Sequence, residues 1–174
     1  MLGTSEEFRL FVSARSQALF SSAWFLCGDQ HLAEDLVQET LLKMYLVWGR
    51  RPIDNPVAYA HTTLTRLYLS RQRRRSSHEV PASSPTPREE REASPDLDLR
   101  IDLRDALADL PDLDRAIVVM RYLEDRPVEE VATALRMRAA AVRTRASRAV
   151  AKLRVSLGRS FHEAPEQSPG GDGS

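Results

Sequence analysis

Basic side chains cluster near the C-terminus of the chain, and phosphate binding is the chemistry that such a cluster serves. The stretch VEEVATALRMRAAAVRTRASRAVAKLR, residues 128–154, holds two adjacent glutamates near its start and no acid after them. A second basic run, RQRRR, occupies residues 71–75. Because the whole chain has 25 basic and 25 acidic residues, the clustering rather than the net charge indicates a phosphate backbone, whose neutralisation releases condensed counterions.

The last predicted helix separates these cations from an apolar arc. At 100° per residue, one face collects Val142, Ala146, Ala149, Val150 and Leu153. The opposite face mixes arginines with small and hydroxyl-bearing residues, which fits a helix that reads a DNA major groove. A merely solvated face would carry acids at i,i+4 spacing, and this stretch has none. The candidate groove-reading residues are Arg138, Ala140, Arg143, Thr144, Ser147 and Arg148.

Residues 31–48, HLAEDLVQETLLKMYLVW, predict a different kind of surface. Helical spacing turns one set of residues toward a core: Ala33, Val37, Leu41, Met44 and Trp48. The opposite face presents His31, Asp35, Gln38, Glu39, Leu42 and Leu46. Leucines beside acids on an exposed face indicate a protein interface rather than a solvated surface.

The elements that carry these surfaces are all predicted to be helices. Thr4, Asp29 and Asn55 are capping residues that open three long N-terminal helices, which we expect to pack as one bundle. In the C-terminal half, Asp112 is expected to cap a helix, and a tight turn at RMR, residues 136–138, leads into the last helix. The sequence therefore predicts an all-α fold whose second half is a four-helix domain ending in a helix-turn-helix.

Composition divides the chain into two small helical domains. Residues 76–96, SSHEVPASSPTPREEREASPD, combine serine, proline and charge with almost no apolar content, which is typical of a disordered linker. Such a linker averages roughly 25 Å end to end and reaches about 70 Å at most, so it could hold the two halves well apart. We expect an N-terminal domain over residues 1–75, a C-terminal domain over 97–160 and a disordered tail over 161–174.

Several classes of protein are excluded by what the sequence lacks. No apolar run approaches the roughly 18 residues that span a bilayer, and the start MLGTSEEF is acidic, so we expect a cytoplasmic protein without membrane insertion. Cys27 has no partner for an internal disulfide or a zinc site and is expected to be a small apolar residue of a helix. With no glycine-rich phosphate loop and no metal-ligand spacing, we expect neither an enzyme nor a bound cofactor.

Two segments resemble parts of the σ70 family of bacterial transcription initiation factors, specifically its two-domain extracytoplasmic-function (ECF) group. Residues 31–48 resemble the most characteristic helix of the family, and residues 112–154 resemble its C-terminal helix-turn-helix domain. The resemblance covers about residues 5–158. It implies an alternative-type sigma factor that binds core RNA polymerase and directs it to promoter DNA, without catalytic chemistry of its own.

The resemblance also implies roles for individual residues. Contact with the coiled coil of the polymerase β′ subunit is implied for Asp35, Gln38, Glu39 and Leu42. The third helix and the loop before it match the family's −10 recognition element, and they carry residue types that hold a single strand. These −10 candidates are Arg50, Arg51, Asn55, Tyr59, Thr62, Arg66 and Arg73. The last helix would read the −35 element, and family members are commonly held by an anti-sigma factor.

Three arginines depart from the family pattern. Arg66 stands where many relatives carry Asn, which bears on the base that is captured. Arg136 stands where relatives often carry Gly, and Arg138 where they carry Ser or another cap. Since arginine is a poor N-cap and disfavours positive φ, we expect this turn to be strained by about 1 kcal/mol or to use a different geometry.

Two rival functions are compatible with the basic clusters. One is a stand-alone helix-turn-helix regulator that binds operator DNA as a dimer without polymerase. The all-helical first half argues against it, because such regulators usually carry a ligand-sensing or receiver domain with strands there. The other is a helical adaptor whose cations bind acidic proteins, and a DNA mobility shift lost at high salt would separate a DNA reader from it.

Overall fold

The structure, a computed structural model, describes residues 4–77 and 95–163. The described residues form helices and no strand, so the all-α fold predicted from the sequence is confirmed. In chain order the helices are α1 (Thr4–Cys27), α2 (Gln30–Val47), α3 (Pro56–Ser77), α4 (Pro95–Ala108), α5 (Asp112–Val118), α6 (Val128–Leu135) and α7 (Ala139–Glu163). A π-helical segment, Val119–Leu123, continues α5.

Helices take up both ends of the predicted linker. Ser76 and Ser77 belong to α3, and Pro95 and Asp96 begin α4. The start of the predicted tail is likewise helical, because α7 extends to Glu163. The rest of the disorder expected from composition concerns residues 78–94 and 164–174, which lie outside the described residues.

Side-chain caps fix the starts of α2 and α3 as the sequence predicts. Asp29 Oδ1 accepts a hydrogen bond from the Leu32 amide at 2.9 Å, and Asn55 Oδ1 accepts one from the Ala58 amide at 3.0 Å. At the C-terminal end of α1, Gly28 has a φ of 70°, a conformation in which glycine carries no Cβ penalty. These caps place the loop before α3 and the first turns of α3 in a defined orientation.

The start of α5 differs from the prediction. Pro111 precedes the helix without a side-chain cap, and Asp112 is the first helical residue, so the prediction that Asp112 is an N-cap is wrong. Its carboxylate is engaged elsewhere, since Asp112 Oδ1 accepts hydrogen bonds from the Tyr68 hydroxyl and from Gln72 Nε2, each at 3.1 Å. Asp112 therefore joins the C-terminal half to α3 instead of capping its own helix.

One hydrophobic cluster runs through both halves of the chain. Leu19, Leu36 and Leu64 of the first three helices share it with Leu107 and Leu153 of the second half. A smaller cluster lies under the helix-turn-helix and includes Ile117, Met120, Val131, Val142 and Ala146. The two halves are therefore docked on each other in this structure, rather than held apart as the linker length would allow.

Arg115 and Tyr68 supply the polar part of this docking. Arg115 Nη1 donates to the Leu26 carbonyl at 2.9 Å and to the Tyr68 hydroxyl at 3.0 Å, while its Nε donates to the Leu107 carbonyl at 2.8 Å. Burial raises the pKa of Tyr68, so the hydroxyl stays protonated and can donate to Asp112. Tyr68 is 2% exposed and therefore lies in the core.

Cys27 behaves as the small helix residue expected from the sequence. It is the last residue of α1 and is half-buried against the larger cluster. Burial raises the pKa of its thiol to about 11, so the side chain is neutral at physiological pH. Trp24 and Trp48 pack partly buried against the same cluster, and for Trp48 this agrees with the core position that helical spacing predicts.

Candidate protein and nucleic-acid interfaces

The outward face of α2 combines exposed acid, amide and leucine side chains. Asp35, Gln38 and Leu42 are exposed, Leu42 over 60% of its surface. Glu39 lies half-buried at the edge of this face, where its Oε2 accepts a hydrogen bond from Arg71 Nη2 of α3 at 2.5 Å. The structure thus brings the four candidate polymerase-binding residues to one side of α2, with Glu39 held in position by a cation.

Two residues of this surface were not singled out by the sequence patterns. Tyr45 is 54% exposed, next to the exposed Leu46, and its ring lies 5.3 Å from the ring of Phe8. Arg71 was counted only as part of a basic run, yet it fixes the Glu39 carboxylate. Tyr45 could have been found from its position one turn after Leu42, whereas the Arg71 pair depends on how α3 packs on α2.

An open pocket of about 320 Å³ lies between the loop before α3 and the first turns of α3. Four candidate −10 residues, Arg51, Asn55, Tyr59 and Thr62, line it. Arg51 Nη2 donates to the Tyr59 hydroxyl at 3.3 Å, and its guanidinium carbon lies 5.7 Å from the ring centroid. An aromatic ring, a hydroxyl group and an amide around one opening are groups that can bind an unstacked base.

The remaining −10 candidates are Arg50, which lies in the turn after α2, and Arg66 and Arg73 of α3. Arg50 and Arg73 are exposed. Thr62 and Arg66 instead contact the C-terminal half: Thr62 Oγ1 accepts from Arg126 Nη2 at 3.0 Å, and Arg66 Nε donates to the Ala134 carbonyl at 2.7 Å. No local sequence pattern indicates that these two residues contact residues more than 60 positions away.

All six candidate groove-reading residues are exposed on α7 or at its start. The opposite arc is buried as predicted, with Val142 and Ala149 at 0% and 1% exposure. Arg143 Nη2 donates to Glu129 Oε1 at 3.0 Å, and Thr144 Oγ1 donates to the Ala140 carbonyl at 3.0 Å. These contacts lie within the C-terminal half, so the face that carries the cations stays directed away from the core.

The turn before α7 keeps a left-handed residue even though arginine occupies it. Arg136 has φ 55° and ψ 45°, and its amide donates to the Thr133 carbonyl at 3.3 Å. Because a Cβ disfavours this conformation, the turn carries the strain of about 1 kcal/mol expected from the sequence. A second residue of this kind, Asp125 with φ 51°, precedes α6 and was not foreseen.

The part of the chain that the structure describes gives no sign of a metal site or a membrane span. Within residues 4–77 and 95–163, no group of three or more histidine, cysteine or acidic residues is placed to hold a metal ion. In the same residues, no helix has both the length and the apolar character needed to cross a bilayer.

Family models match both halves of the chain. The model of Sigma-70 region 2 matches residues 11–78, and that of Sigma-70 region 4 matches residues 100–153. The RNA polymerase sigma-E factor of Streptomyces coelicolor is 32% identical over 160 residues, which cover 90% of this chain and 89% of that protein. The chain belongs to the ECF group of σ70-family sigma factors. It is therefore an alternative sigma factor, a protein that binds core RNA polymerase and directs promoter-specific transcription initiation.

Further comparisons agree with this assignment. The ECF RNA polymerase sigma factor SigE of Mycolicibacterium smegmatis is 29% identical over 90% of this sigma factor, which spans 64% of that protein's length. The sigma factor RpoE, solved in complex with the anti-sigma factor NepR from Bartonella quintana, matches with a TM-score of 0.73 and 26% identity over 88% of this chain and 98% of that chain. CnrH, solved with the cytosolic domain of CnrY, shares the fold with a TM-score of 0.64 at 20% identity, over 89% and 90% of the two chains.

Proposed function

We propose that this sigma factor divides its work between its two halves. Residues 1–75 bind core polymerase and capture the −10 element, and residues 97–160 read the −35 element. The observation that carries the proposal is the presence of two unlike surfaces on one chain, the face of leucines and acids on α2 and the face of arginines and small residues on α7. A stand-alone DNA reader has no use for the first surface, and an adaptor would use the second only to bind acidic proteins, which a salt-sensitive DNA mobility shift distinguishes from DNA reading.

The polymerase contact is assigned to Asp35, Gln38, Glu39 and Leu42, with the coiled coil of the β′ subunit as the partner. Leu42 supplies apolar area at the centre of the face, and the polar residues around it supply hydrogen bonds and register. The ion pair with Arg71 keeps Glu39 in one position, so less side-chain entropy is lost when the partner binds.

The −10 contact is assigned to the loop pocket and to α3. Tyr59 stacks on a base that leaves the duplex, and Arg51, Asn55 and Thr62 surround that base. Arg50, Arg66 and Arg73 hold the backbone of the opened strand, because guanidinium groups bind phosphate oxygens with charge-assisted hydrogen bonds. The chain thereby stabilises melted DNA without catalysing a reaction itself.

The −35 contact is assigned to the start of α7. Arg143, Thr144 and Ser147 face the groove, and Ala140 leaves room for the helix to approach the base edges. Arg138 and Arg148 border the same face. The protein acts in the cytoplasm, where core polymerase and promoter DNA are found, and an anti-sigma factor binds it, as the anti-sigma factor NepR binds the similar sigma factor RpoE of Bartonella quintana.

Run-off transcription tests the assignment. Core polymerase from the source organism, with genomic fragments as templates, should start transcripts at discrete sites only after this protein is added. The triple variant Asp35→Ala, Gln38→Ala, Glu39→Ala should abolish both co-elution with core polymerase and these transcripts, because it removes the polar part of the α2 face. The proposal fails if wild-type protein neither co-elutes nor initiates.

A matched control separates loss of the contact from loss of the fold. Glu34 is an exposed acid of the same helix, one position before Asp35 and about 100° around it, so Glu34→Ala should retain activity. Circular dichroism should show equal helix content in all of these proteins. A folded triple variant that binds polymerase as tightly as wild type would contradict the α2 assignment alone.

A further inference from the structure

We propose that a pocket at the C-terminal end of α3 binds a nucleoside diphosphate, whose phosphates compete with Glu39 for Arg71. The pocket has a volume of about 240 Å³ and lies where the ends of α1 and α3 meet the first half of α2. It is here called the arginine pocket. Its apolar side is formed by Cys27, Leu32 and Leu36, and its charged side by Arg71, Arg74 and Arg75.

Two of the three cations lack a carboxylate partner within the described part of the chain. Arg71 is paired with Glu39, whose Oε2 lies 2.5 Å from Arg71 Nη2. Arg74 Nη2 instead donates to the Ser70 hydroxyl at 3.3 Å, and both Arg74 and Arg75 are exposed at the rim of the pocket. Their guanidinium groups can therefore bind the oxygens of a diphosphate with charge-assisted hydrogen bonds.

The opposite side of the pocket is uncharged. Leu36 is fully buried, and Leu32 and Cys27 are half-buried. Burial raises the pKa of the Cys27 thiol to about 11, although the charges of Arg71 and Arg75 act to lower it, so the thiol is neutral at physiological pH. This side can therefore pack against the uncharged part of a ligand, while the charged side binds its anionic part.

The lining of the pocket favours a heteroaromatic ring over an alkyl chain. Gln72 also lines it, and its Nε2 donates to Asp112 Oδ1 at 3.1 Å. Among the described residues nothing donates to Gln72 Oε1, so this oxygen is available to an amino group of a base. Guanidinium groups also stack on planar rings, which an alkyl chain does not offer. A nucleobase meets both conditions.

The size of the pocket divides the ligand into an enclosed part and an exposed part. Pockets that enclose most of a small molecule have volumes of about 300–1,000 Å³. At about 240 Å³, the arginine pocket takes only a base and part of a ribose. The diphosphate then stays at the exposed rim, where Arg74 and Arg75 lie.

Arg71 connects the arginine pocket to the outward face of α2. Its guanidinium lines the pocket and also donates to Glu39. A phosphate bound at the rim is a second anion for the same guanidinium, so it competes with the Glu39 carboxylate. Glu39 then loses the partner that holds it in position. This step rests on the polymerase contact assigned to Glu39 in the proposed function, and it predicts that the ligand weakens polymerase binding.

Calorimetric titration of the full-length protein with three probes tests the site. ADP carries base and charge, inorganic pyrophosphate carries the charge alone, and adenosine carries the base alone. We expect ADP to bind with a Kd of roughly 10–100 µM. Each of the other two probes should bind at least about tenfold more weakly, because each lacks one half of the contacts.

Two arginine variants separate the pocket from the general charge of α3. Arg75→Ala should weaken ADP binding about tenfold, because it removes a charge-assisted hydrogen bond at the rim. The matched control is Arg73→Ala, which removes an exposed cation of the same helix that does not line the pocket. It should change the Kd by less than about twofold, because solvent and salt screen its charge. Circular dichroism should show equal helix content in both variants.

Cys27 reports whether the ligand enters the pocket, because it is the single cysteine of the chain. Alkylation by N-ethylmaleimide at mildly alkaline pH, followed by mass spectrometry, measures its accessibility. Saturating ADP should slow the alkylation severalfold, because the base covers the thiol. Pyrophosphate should leave the rate unchanged, because it binds only at the rim.

The effect on polymerase binding is measured separately. Saturating ADP should weaken the binding of the wild-type protein to core polymerase by about threefold to tenfold. Arg75→Ala is the control, because any effect of ADP on polymerase itself persists with this variant. A loss no larger for wild type than for Arg75→Ala would overturn the competition for Arg71.

Two results would overturn the site itself. Absence of ADP binding up to about 1 mM would show that the pocket is not a nucleotide site. Equal affinity for ADP and pyrophosphate, without protection of Cys27, would show that Arg74 and Arg75 form only a cationic surface for phosphates such as those of a DNA backbone. Neither measurement contains polymerase, so these failures are distinct from failure of the proposed function.

Discussion

The two surfaces that we propose contact DNA, on α3 and on α7, differ in how the rest of the chain contacts them. On α7, Arg143 and Ser147 are exposed, and Arg143 pairs with a glutamate of the same half. On α3, Thr62 and Arg66 accept from and donate to residues of the other half. Arg66 and Arg143 are both exposed, but Arg66 is hydrogen-bonded to the other half of the chain, whereas the partner of Arg143 lies in the same half.

This difference shows that residue types can indicate a candidate DNA-binding surface. Contacts between the two halves of the chain determine whether that surface is free to bind. Both helices carry arginines and hydroxyl groups at helical spacing, and by that criterion they are alike. The residues that distinguish them, Glu124 and Arg126, lie in a turn after the π-helical segment. They gain partners on α3 only through the tertiary fold.

We expect the largest effect from a substitution on the exposed face of α7. Arg143→Ala should cost about 1–3 kcal/mol of −35 binding and relax the preference at one or two base pairs, because we propose that Arg143 contacts base edges. Lys152→Ala, on the flank of the same helix, should weaken binding to all sequences alike and reduce the salt slope by about one. Promoter libraries randomised across the −35 element measure both variants in the polymerase complex.

The control for this prediction lies in the partner of Arg143. Glu129→Gln releases the arginine without removing it, so it should leave the sequence preference in place. If Arg143→Ala instead lowers output uniformly with an unchanged preference, Arg143 is a phosphate clamp. The face of α7 would then contribute binding affinity but no sequence discrimination. It would differ from the α3 surface only in its place in the fold.

A single substitution on the α3 surface should have a smaller effect. Tyr59→Ala should weaken capture of the opened −10 strand by about 1 kcal/mol, near the low end for a stacked base, because Tyr59 is half-buried and shows only part of its ring. Tyr59→Phe keeps the ring and loses only the bond to Arg51, so it serves as the control. Permanganate reactivity of open complexes measures capture, and equal reactivity in Tyr59→Ala and wild type would remove Tyr59 from the pocket assignment.

The sequence predicts local features of this fold well and long-range ones poorly. The caps at Asp29 and Asn55 were predictable because a capping side chain bonds an amide three residues away. The use of Asp112 was not predictable, because Tyr68 and Gln72 approach it only when the halves dock. The same reasoning separates the candidate sites: helical period found the exposed face of α7, and it had no means to find the partner of Arg66.

Two Tyr→Phe substitutions compare a hydroxyl group at the interface between the halves with one inside the N-terminal half. Tyr68→Phe removes the hydroxyl that donates to Asp112 and accepts from Arg115, and it should lower the free energy of unfolding by about 1 kcal/mol. Tyr59→Phe removes a hydroxyl that bonds Arg51 within the N-terminal half, where Tyr59 is only half-buried, and should change stability less. Urea unfolding followed by circular dichroism measures both. Equal losses of unfolding free energy in the two variants would mean that the position of the Tyr68 hydroxyl between the halves adds nothing to its stabilising effect.

We expect the smallest effects at the two turns that contain a left-handed residue, Arg136 before α7 and Asp125 before α6. Arg136→Gly should raise the free energy of unfolding by about 0.5–1 kcal/mol, because glycine adopts the left-handed conformation of the turn without a Cβ penalty. Asp125→Gly should give a similar gain, since Asp125 has nearly the same φ. For a chain of this size the gain corresponds to a rise in Tm of about 1–4 °C, which calorimetry can resolve.

The effects of these two substitutions on DNA binding should differ, because Arg136 is an exposed cation next to α7 whereas Asp125 lines the cleft between the halves. Arg136→Gly should reduce the salt dependence of −35 binding and leave its sequence preference intact. A loss of stability in Arg136→Gly would show that the arginine side chain makes a contact worth more than the strain, and a changed preference would show that it helps to set the angle at which α7 enters the groove.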